Sequence, residues 1–225
     1  MIRFTPRLQL ETLFVLDDNG RIVSTREPNP KPGPRFSLIR GSTERAWATR
    51  ADLSNRLAAQ LDGLAREEPA LDDFRREPLH AAKYASLLGG RLYTGPAFTF
   101  PDTIASSGEV TPIEDLAVLS QNFQGWAPNE IGGCAPILGI SENGQAISVC
   151  FCARKSSVAA EAGVETAARF RGRGLAPQVT AGWALAIRAS NRLPLYSTSW
   201  SNEPSLAVAR KLGLRLCASD WSLSD

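Results

Sequence analysis

The chain has a single histidine, His80, and only four cysteines among its 225 residues. The cysteines (Cys134, Cys150, Cys152 and Cys217) form no C-x-x-C pair, and the histidine lies far from them in sequence. Both features disfavour a zinc site. Cys150 and Cys152 fall two apart in a predicted strand, where side chains share a face and do not readily form a disulfide. The sequence therefore predicts buried free thiols and no metal cofactor.

The chain also lacks an excess of charge of one sign and lacks long apolar runs. The 25 basic and 23 acidic residues leave a formal net charge of +2, which gives no broad basic face for nucleic acid. No apolar run approaches the ~20 residues that span a bilayer. Polar residues and Pro6 interrupt residues 1–20, so this segment lacks the continuous apolar run of a secretory signal. We expect a cytoplasmic protein without nucleic-acid or membrane partners.

The N-terminal half has mixed patterns. LQLETLFVL, Asp18-Asn19-Gly20 and RIVST predict a β-hairpin, because Asn-Gly between β-prone runs is a strong turn signal. The proline-rich EPNPKPGP predicts a loop. From about Thr49, leucines at 53, 57, 61 and 64 predict an amphipathic helix. HAAKYASLLGG predicts a short helix closed by glycine, and RLYTGPAFTFPD predicts a strand.

Beyond residue 110, VTPIEDLAVLSQNF predicts a helix opened near Thr111-Pro112, and GWAPNEIGG predicts a loop. PILGISENGQAISVCFCARK predicts a second hairpin that turns at Asn143-Gly144. The last third alternates strand AEAGVETA, helix LAPQVTAGWALAIRAS, strand LPLYSTSW, helix PSLAVARKLG and strand LRLCASDWSL. This order predicts a mixed α/β sheet in which a helix crosses over between two of the strands.

The stretch VETAARFRGRGLA carries the clearest chemical signal. A strand ends, an arginine- and glycine-rich loop follows, and a helix begins with Pro177 in its first turn. Glycines allow a ligand to approach the backbone, and the free N–H groups of a helix start attract anions such as a pyrophosphate. No Walker motif occurs, and the third glycine of a Rossmann site is replaced by Pro177. A plain strand–turn–helix connection with solvated arginines is the alternative.

Here the sequence resembles the GNAT superfamily of N-acetyltransferases. Its signature [RQ]-x-x-G-x-[GA] corresponds to residues 169–174, and its later pattern N-x-x-[SA]…K-x-G-[FL] corresponds to Asn202–Ser205 and Lys211–Leu214. The resemblance covers roughly Val110 to the C-terminus. It implies a mixed, mostly antiparallel GNAT-like sheet flanked by helices over residues 93–225. Residues 1–92 are expected to form either an N-terminal α/β extension packed on the same sheet or a small separate module.

The resemblance also implies the function, the transfer of an acetyl group from acetyl-CoA to an amine by direct attack. The acceptor is expected to be a small-molecule or peptide amine, and a homodimer is compatible with the sequence. Asn202 also suits a helix N-cap. The residues expected to bind acetyl-CoA are Val164, Glu165, Thr166, Arg169, Phe170, Arg171, Gly172, Arg173, Gly174, Leu175, Asn202 and Ser205.

The proton of the attacking amine needs an acceptor. Glu161 and Glu165 lie four apart on the strand expected to flank the thioester, so they share a face. We predict that at least one is the base, and slightly favour Glu165, although either could be a solvated strand residue. Glu109 and Glu130 are weaker candidates.

The departing thiolate raises a second question. GNAT enzymes often place a tyrosine where this chain has Ala209, so Tyr196, Ser199, Ser201 or water would have to protonate the thiolate. A CoA-binding regulatory module without transfer activity, and an unrelated α/β binding domain, are therefore the alternative functions.

Overall fold

The computed structural model describes residues 2–105 and 108–225. The helices of that part are α1 (Pro6–Leu13), α2 (Asn55–Glu67), α3 (Ala81–Leu88), α4 (Pro128–Cys134), α5 (Leu175–Ala189) and α6 (Glu203–Lys211). The strands are β1 (Phe14–Leu16), β2 (Ile22–Thr25), β3 (Phe36–Gly41), β4 (Arg45–Thr49), β5 (Arg91–Thr99), β6 (Thr111–Pro112), β7 (Leu138–Glu142), β8 (Gln145–Lys155), β9 (Ala159–Thr166), β10 (Leu193–Ser197) and β11 (Arg215–Ser224).

Strands β3 to β11 of the described residues form one sheet in the order β4-β3-β11-β5-β10-β9-β8-β7-β6. Neighbouring strands are antiparallel except β9 and β10, which are parallel and joined by α5. A parallel neighbour requires such a crossover, because a short turn cannot return the chain to the same end of the sheet. The predicted mixed, mostly antiparallel sheet flanked by helices is confirmed.

The interior strand β5 comes from the first half of the sequence. It lies between β10 and β11 and is antiparallel to both. Strands β3 and β4 extend the same sheet beyond β11. The predicted boundary between residues 92 and 93 falls inside β5, so both sides of that boundary contribute strands to one sheet. The division into an extension and a GNAT-like domain remains a prediction.

The helices bury apolar residues on both faces of this sheet. Phe98 packs with Trp183 of α5 and Leu206 of α6 on one face. Its neighbour Ala97 packs with Leu10 of α1 on the other face, as the alternation of a strand requires. Helices α2 and α3 cover a third buried cluster over β3 and β11. Helices therefore cover both faces of the sheet.

Several local predictions are confirmed. The elements of the last third appear in the predicted order, as do α2, α3, β5 and both hairpin turns. The second hairpin turns at Asn143 and Gly144, with φ of 53° and 75°, the left-handed conformation that favours these two residue types. The four cysteines are free thiols, and Cys134, Cys150 and Cys152 are buried.

The predicted strand at LQLETLFVL is wrong over most of its length, because residues 6–13 form α1. Pro6 occupies the first turn, where its missing N–H costs little. The Thr5 hydroxyl caps the helix by accepting from the Leu8 N–H at 3.1 Å. Only residues 14–16 pair with β2 in the predicted hairpin. Strands β3 and β4 were not predicted.

Two further predictions are wrong between residues 110 and 134. VTPIEDLAVLSQNF forms no α-helix, since Thr111 and Pro112 pair with β7 and only Leu116–Val118 forms a 3₁₀ turn. The Asp115 carboxylate accepts from the Ala117 N–H at 2.8 Å and caps that turn. GWAPNEIGG, predicted as a loop, contains all of α4 except its last residue, and the Glu130 carboxylate accepts from the Ala127 N–H at 2.8 Å.

Trp183 is expected to contribute strongly to stability. Its side chain is 0% exposed on α5 and packs against Phe100, with ring centroids 6.4 Å apart. Trp183→Ala should lower the free energy of unfolding by roughly 3–5 kcal/mol, because it leaves a large cavity. Urea denaturation measures this loss. Leu185→Ala on the exposed side of the same helix should cost much less, and equal losses for both variants would contradict this packing.

Candidate active site

An open cleft begins where β9 and β10 part. Their parallel pairing runs from Ala159 and Leu193 to Glu161 and Leu195 and does not continue beyond that pair. Residues 162–166 of β9 remain paired with β8 on their other side. Backbone groups that face away from β8 are therefore open to the cleft, whose volume is about 1040 Å³.

The wide end of the cleft is formed by the loop between β9 and α5. Gly172 and Gly174 have φ of 79° and 76°, a region that β-branched and bulky side chains rarely adopt. A Cβ built at either glycine would meet no described atom within 4 Å. Gly174 precedes α5, and no described side chain caps that helix. The first-turn N–H groups therefore face open space, which suits an anionic ligand.

The three arginines of this loop take different positions. Arg171 lines the cleft, and its Nε donates to the Thr166 carbonyl at 3.2 Å. Arg169 and Arg173 lie against the Phe170 ring, with guanidinium carbons 4.8 and 5.3 Å from its centroid. Neither of these two lines the cleft. They support the loop through Phe170, whereas Arg171 presents its charge at the cleft.

Helix α6 forms the opposite wall. The Asn202 side chain accepts from the Ser205 N–H at 3.2 Å, so the predicted N-cap is confirmed. The Ser205 hydroxyl is 2.6 Å from the Tyr196 hydroxyl, and Asn202, Ser205 and Tyr196 all line the cleft. Burial raises the pKa of Tyr196, so this phenol keeps its proton at neutral pH.

Most residues predicted to bind acetyl-CoA meet in this one cleft. The exceptions are Arg169 and Arg173. Sequence reasoning missed Asn122, Phe123 and Gln124, which line the cleft from the segment after the 3₁₀ turn. No motif marks that segment. The predicted residues that do line it are Val164, Glu165, Thr166, Phe170, Arg171, Gly172, Gly174, Leu175, Asn202 and Ser205.

Glu161 lies at the narrow end, where the two strands part. It is 2% exposed, and one carboxylate oxygen accepts from the Ser197 hydroxyl. The other oxygen lies 3.8 Å from the Arg154 guanidinium and has no hydrogen-bond partner among the described residues. Burial raises the pKa of Glu161, opposed by the charge of Arg154. Ser197 also lines the cleft, so it connects this carboxylate to the open space.

Glu165 lies at the wide end of the same strand. It is exposed and lines the cleft close to the glycine loop. Partial burial raises the pKa of its carboxyl. Gly163 separates the two glutamates, and a Cβ there would lie 2.5 Å from the Phe151 ring. Phe151 stacks edge-on against Trp126, with centroids 4.8 Å apart. An aromatic wall therefore stands between the two carboxylates.

Sequence reasoning also missed a row of polar residues that continues from Glu161 across the sheet. Asp220 on β11 is 7% exposed, and burial and the charge of Glu161 raise its pKa to about 7. Asp220 pairs with Gly95 of β5, where a Cβ would lie 2.8 Å from the Tyr93 hydroxyl. Burial raises the pKa of Tyr93. No local motif marks this row, because strand pairing alone brings it together.

The remaining candidates lie elsewhere. Glu130 accepts from Asn29 and caps α4, and Glu109 is exposed and does not line the cleft. The hydroxyls of Ser199 and Ser201 are 3.0 Å apart, and neither residue lines the cleft. Ala209 is 2% exposed in the core beneath α6.

Residues 2–105 and 108–225 contain no group of three or more His, Cys, Asp or Glu side chains arranged to hold a metal ion. No helix in that part of the chain has both the length and the apolar character that crossing a bilayer requires.

Comparison with known proteins agrees with this geometry. Residues 122–219 match the model of the GNAT acetyltransferase family, a segment that runs from the cleft-lining Asn122 to β11. No curated protein sequence matches the chain.

Solved structures include similar chains at low identity. A GCN5-related N-acetyltransferase-like protein from Streptococcus suis is 19% identical, with 85% of this chain and 84% of that chain covered and a TM-score of 0.48. An acetyltransferase from the GNAT family from Colwellia psychrerythraea is 11% identical, with 80% and 76% covered and a TM-score of 0.49.

The mixed sheet and the glycine loop form a GNAT-like fold, and the family match covers residues 122–219 of it. The resemblance to the GNAT superfamily predicted from the sequence is therefore confirmed for the C-terminal part of the chain, residues 122–219.

Proposed function

We propose that this protein is an N-acetyltransferase that transfers the acetyl group of acetyl-CoA to an amine by direct attack. One observation carries the proposal: the cleft between β9 and β10 joins an uncapped helix start, with two positive-φ glycines, to a buried carboxylate. The family match supports the same chemistry.

The residues of the cleft fit acetyl-CoA. The backbone N–H groups of the loop and the Arg171 guanidinium would hold the pyrophosphate, since both offer donors to an anion at an open helix start. The open backbone edge of residues 162–166 would pair with the amides of the pantetheine arm. Asn202 and Ser205 would contact it from α6. Every described residue that lines the cleft lies at or beyond residue 122.

When bound, acetyl-CoA supplies a thioester carbonyl that an amine can attack. Glu161 is the proposed proton acceptor for that amine, because it lies where the strands part, holds an unpartnered oxygen and has a raised pKa. Ser197 hydrogen-bonds Glu161 and lines the cleft, so its hydroxyl would relay the proton. Glu165 is the less favoured base, because it is exposed beside the glycine loop.

Tyr196 is the proposed proton donor to the departing thiolate. Among the three side chains considered for this role, Tyr196 lines the cleft and Ser199 and Ser201 do not. Its phenol is buried, its pKa is raised, and its hydroxyl lies beside Ser205. Tyr196 on β10 would thus supply the proton that Ala209 on α6 cannot donate.

Tyr196→Phe should lower kcat about fivefold, a small effect because an ordinary thiol is already acidic enough to leave readily near neutral pH. Initial rates of thiol release, at saturating acetyl-CoA and amine, measure it. Tyr84→Phe is the control, since Tyr84 is a buried tyrosine that hydrogen-bonds Glu68 far from the cleft. Equal rates for Tyr196→Phe and the wild type would remove Tyr196 from the mechanism.

The acceptor amine is proposed to approach the face of the sheet that carries Glu161, opposite α5. This face is covered by α1 and the segments around it, so we propose that the first ~90 residues shape the acceptor site and do not bind CoA. A small-molecule amine or a peptide amine is the proposed acceptor class.

Thiol release from acetyl-CoA, in the presence of a panel of small and peptide amines, tests the function. Release that depends on one class of amine is the expected result. A regulatory CoA-binding module is the second candidate, favoured by the buried Ala209 in place of a phenol. Micromolar CoA binding without release for any amine would support that module and contradict the transferase.

A further inference from the structure

The outer edge of the sheet, at β4, is open to pairing with another strand. Strand β4 is the last in the order of the sheet, and β3 is its neighbour on the inner side. The Arg50 N–H donates to the Arg35 carbonyl at 2.9 Å, so the even-numbered residues of this strand bond to β3. Because antiparallel pairing alternates, the N–H and C=O groups of Arg45 and Trp47 point outwards. Among the described residues, no strand pairs with them on that side.

This open edge lies in a groove of about 750 Å³. All five residues of β4 line the groove, and successive side chains of a strand point to opposite faces, so the groove runs along the edge. Helix α1 packs on one face of β4 and α2 on the other. The lining of this edge groove consists of Arg45–Thr49, of Arg7 with residues 19–21 on the side of α1, and of Asn55, Ala58, Ala59, Asp62 and Arg66 on α2.

The edge groove carries an excess of positive charge. Four arginines and one aspartate line it. The Asp62 carboxylate is already engaged, because Arg66 lies 2.5 Å from it and the Trp47 indole N–H donates to it at 2.8 Å. Arg7 pairs at 2.6 Å with Glu11, which does not line the groove. Two guanidinium groups, those of Arg21 and Arg45, remain in excess of these carboxylates.

The structure holds these two guanidinium groups at opposite ends of β4. Arg21 donates to the Leu53 carbonyl at 2.6 Å and to the Thr49 hydroxyl at 3.5 Å. The Arg45 Nε donates to the Ala65 carbonyl at 3.1 Å. These acceptors are uncharged, so both arginines keep an uncompensated charge. Arg45 and Thr49 lie on the same face of the strand, roughly 13 Å apart along it.

We propose that the edge groove binds an extended acidic segment of another protein, which joins the sheet as a strand beside β4. Main-chain hydrogen bonds to Arg45 and Trp47 would give affinity, and alternate side chains of the segment would give specificity. Two acidic residues four apart would reach Arg21 and Arg45. The residue midway between them would face the Trp47 ring, whose N–H is already bonded, and is expected to be apolar.

This surface is separate from the proposed active site. No residue lines both the edge groove and the cleft, and three strands stand between β4 and β10. The proposal therefore does not depend on acetyl transfer. Charge disfavours a second copy of this chain as the occupant, because pairing β4 with β4 would bring two arginine-rich grooves together.

Calorimetric titration with the peptide acetyl-Thr-Glu-Thr-Val-Thr-Glu-Thr-amide tests the proposal. We expect micromolar binding. The same peptide with Gln in place of both Glu should bind at least ~10-fold more weakly, about 1.4 kcal/mol, since two partly screened ion pairs are lost. A peptide with Lys at both positions should not bind. These comparisons change only the peptide, so they do not depend on the folding of a variant.

A pair of substitutions on α2 locates the binding. Ala59→Glu places a carboxylate in the edge groove and should weaken binding of the acidic peptide at least ~5-fold. Gln60→Glu adds the same charge at the next exposed position of α2, which does not line the groove, and should change the affinity much less. Equal losses for both variants would show that the peptide responds only to overall charge and would overturn the proposed site.

Hydrogen exchange of single amides tests the pairing itself. The bound peptide should slow the exchange of the outward Arg45 and Trp47 amides and leave unchanged those of Ala46 and Ala48, which already bond to β3. Absence of peptide binding, or binding without this alternation, would overturn the proposal. Protection of Arg45 and Trp47 that rises with protein concentration in the absence of peptide would assign the edge to a second copy, and would overturn it as well.

Discussion

Glu161→Gln is expected to lower kcat about 100-fold, because the amide cannot accept the proton of the attacking amine. CoA affinity should remain nearly intact, since Glu161 is buried where the strands part and does not line the cleft. The substitution preserves shape, and Arg154 keeps its partner Glu27 at 2.6 Å. Steady-state rates and equilibrium binding of CoA measure the two effects.

The pH profile gives the same substitution a second readout. A base acts when ionised, so the wild-type rate should rise with pH through the pKa of Glu161, which burial raises above the ordinary carboxyl range. Glu161→Gln should flatten that acid limb.

Glu165→Gln is the matched control, because it makes the same change on the same face of β9 but at an exposed position. Its rate and acid limb should stay close to those of the wild type. If Glu165→Gln loses activity and Glu161→Gln does not, the base is Glu165. Normal rates and acid limbs for both would show that the proton leaves through water or another residue.

Gly172→Val is expected to weaken CoA binding at least ~10-fold, about 1.4 kcal/mol. Gly172 has φ of 79°, and a Cβ there would project into space free of protein atoms. A valine therefore both strains the loop and occupies the space through which a pyrophosphate would approach the backbone. Calorimetric titration with CoA measures the loss.

The effect of backbone strain in Gly172→Val must be separated from the loss of contact between the loop and CoA. Gly144→Val provides that control, because Gly144 has φ of 75° and equally open surroundings in the β7–β8 hairpin. It should be destabilised similarly and still bind CoA. Unchanged CoA affinity in folded Gly172→Val would show that the pyrophosphate binds elsewhere.

The elements that local sequence signals specify were predictable. Asn143-Gly144 requires a tight turn, and the glycines at 172 and 174 mark the loop before α5, so the loop at the wide end of the cleft follows from the sequence. The same signals failed near Pro6, where the spacing of buried residues over 6–13 is helical but short apolar segments resemble strands. In residues 111–118, pairing of Thr111 and Pro112 with β7 overrides helix-like signals.

The narrow end of the cleft could not be predicted, because distant segments form it. Tyr93 is within the influence of the Glu161 charge only because β5 inserts between β10 and β11. Asp220 lies beside the same part of β5, where it pairs with Gly95. No spacing within the sequence encodes these contacts. The arginines illustrate the same limit at the other end, where three similar residues were predicted to face the ligand and only Arg171 lines the cleft.

Acetyl transfer within this cleft is tested most directly by mass spectrometry of amines incubated with isotopically labelled acetyl-CoA and the protein. The wild type should produce a labelled amide from one class of amine. Glu161→Gln should produce it about 100-fold more slowly, and Gly172→Val should produce it slowly at low acetyl-CoA concentration. Absence of labelled amide for every amine tested, despite tight binding of acetyl-CoA by the wild type, would contradict the transferase.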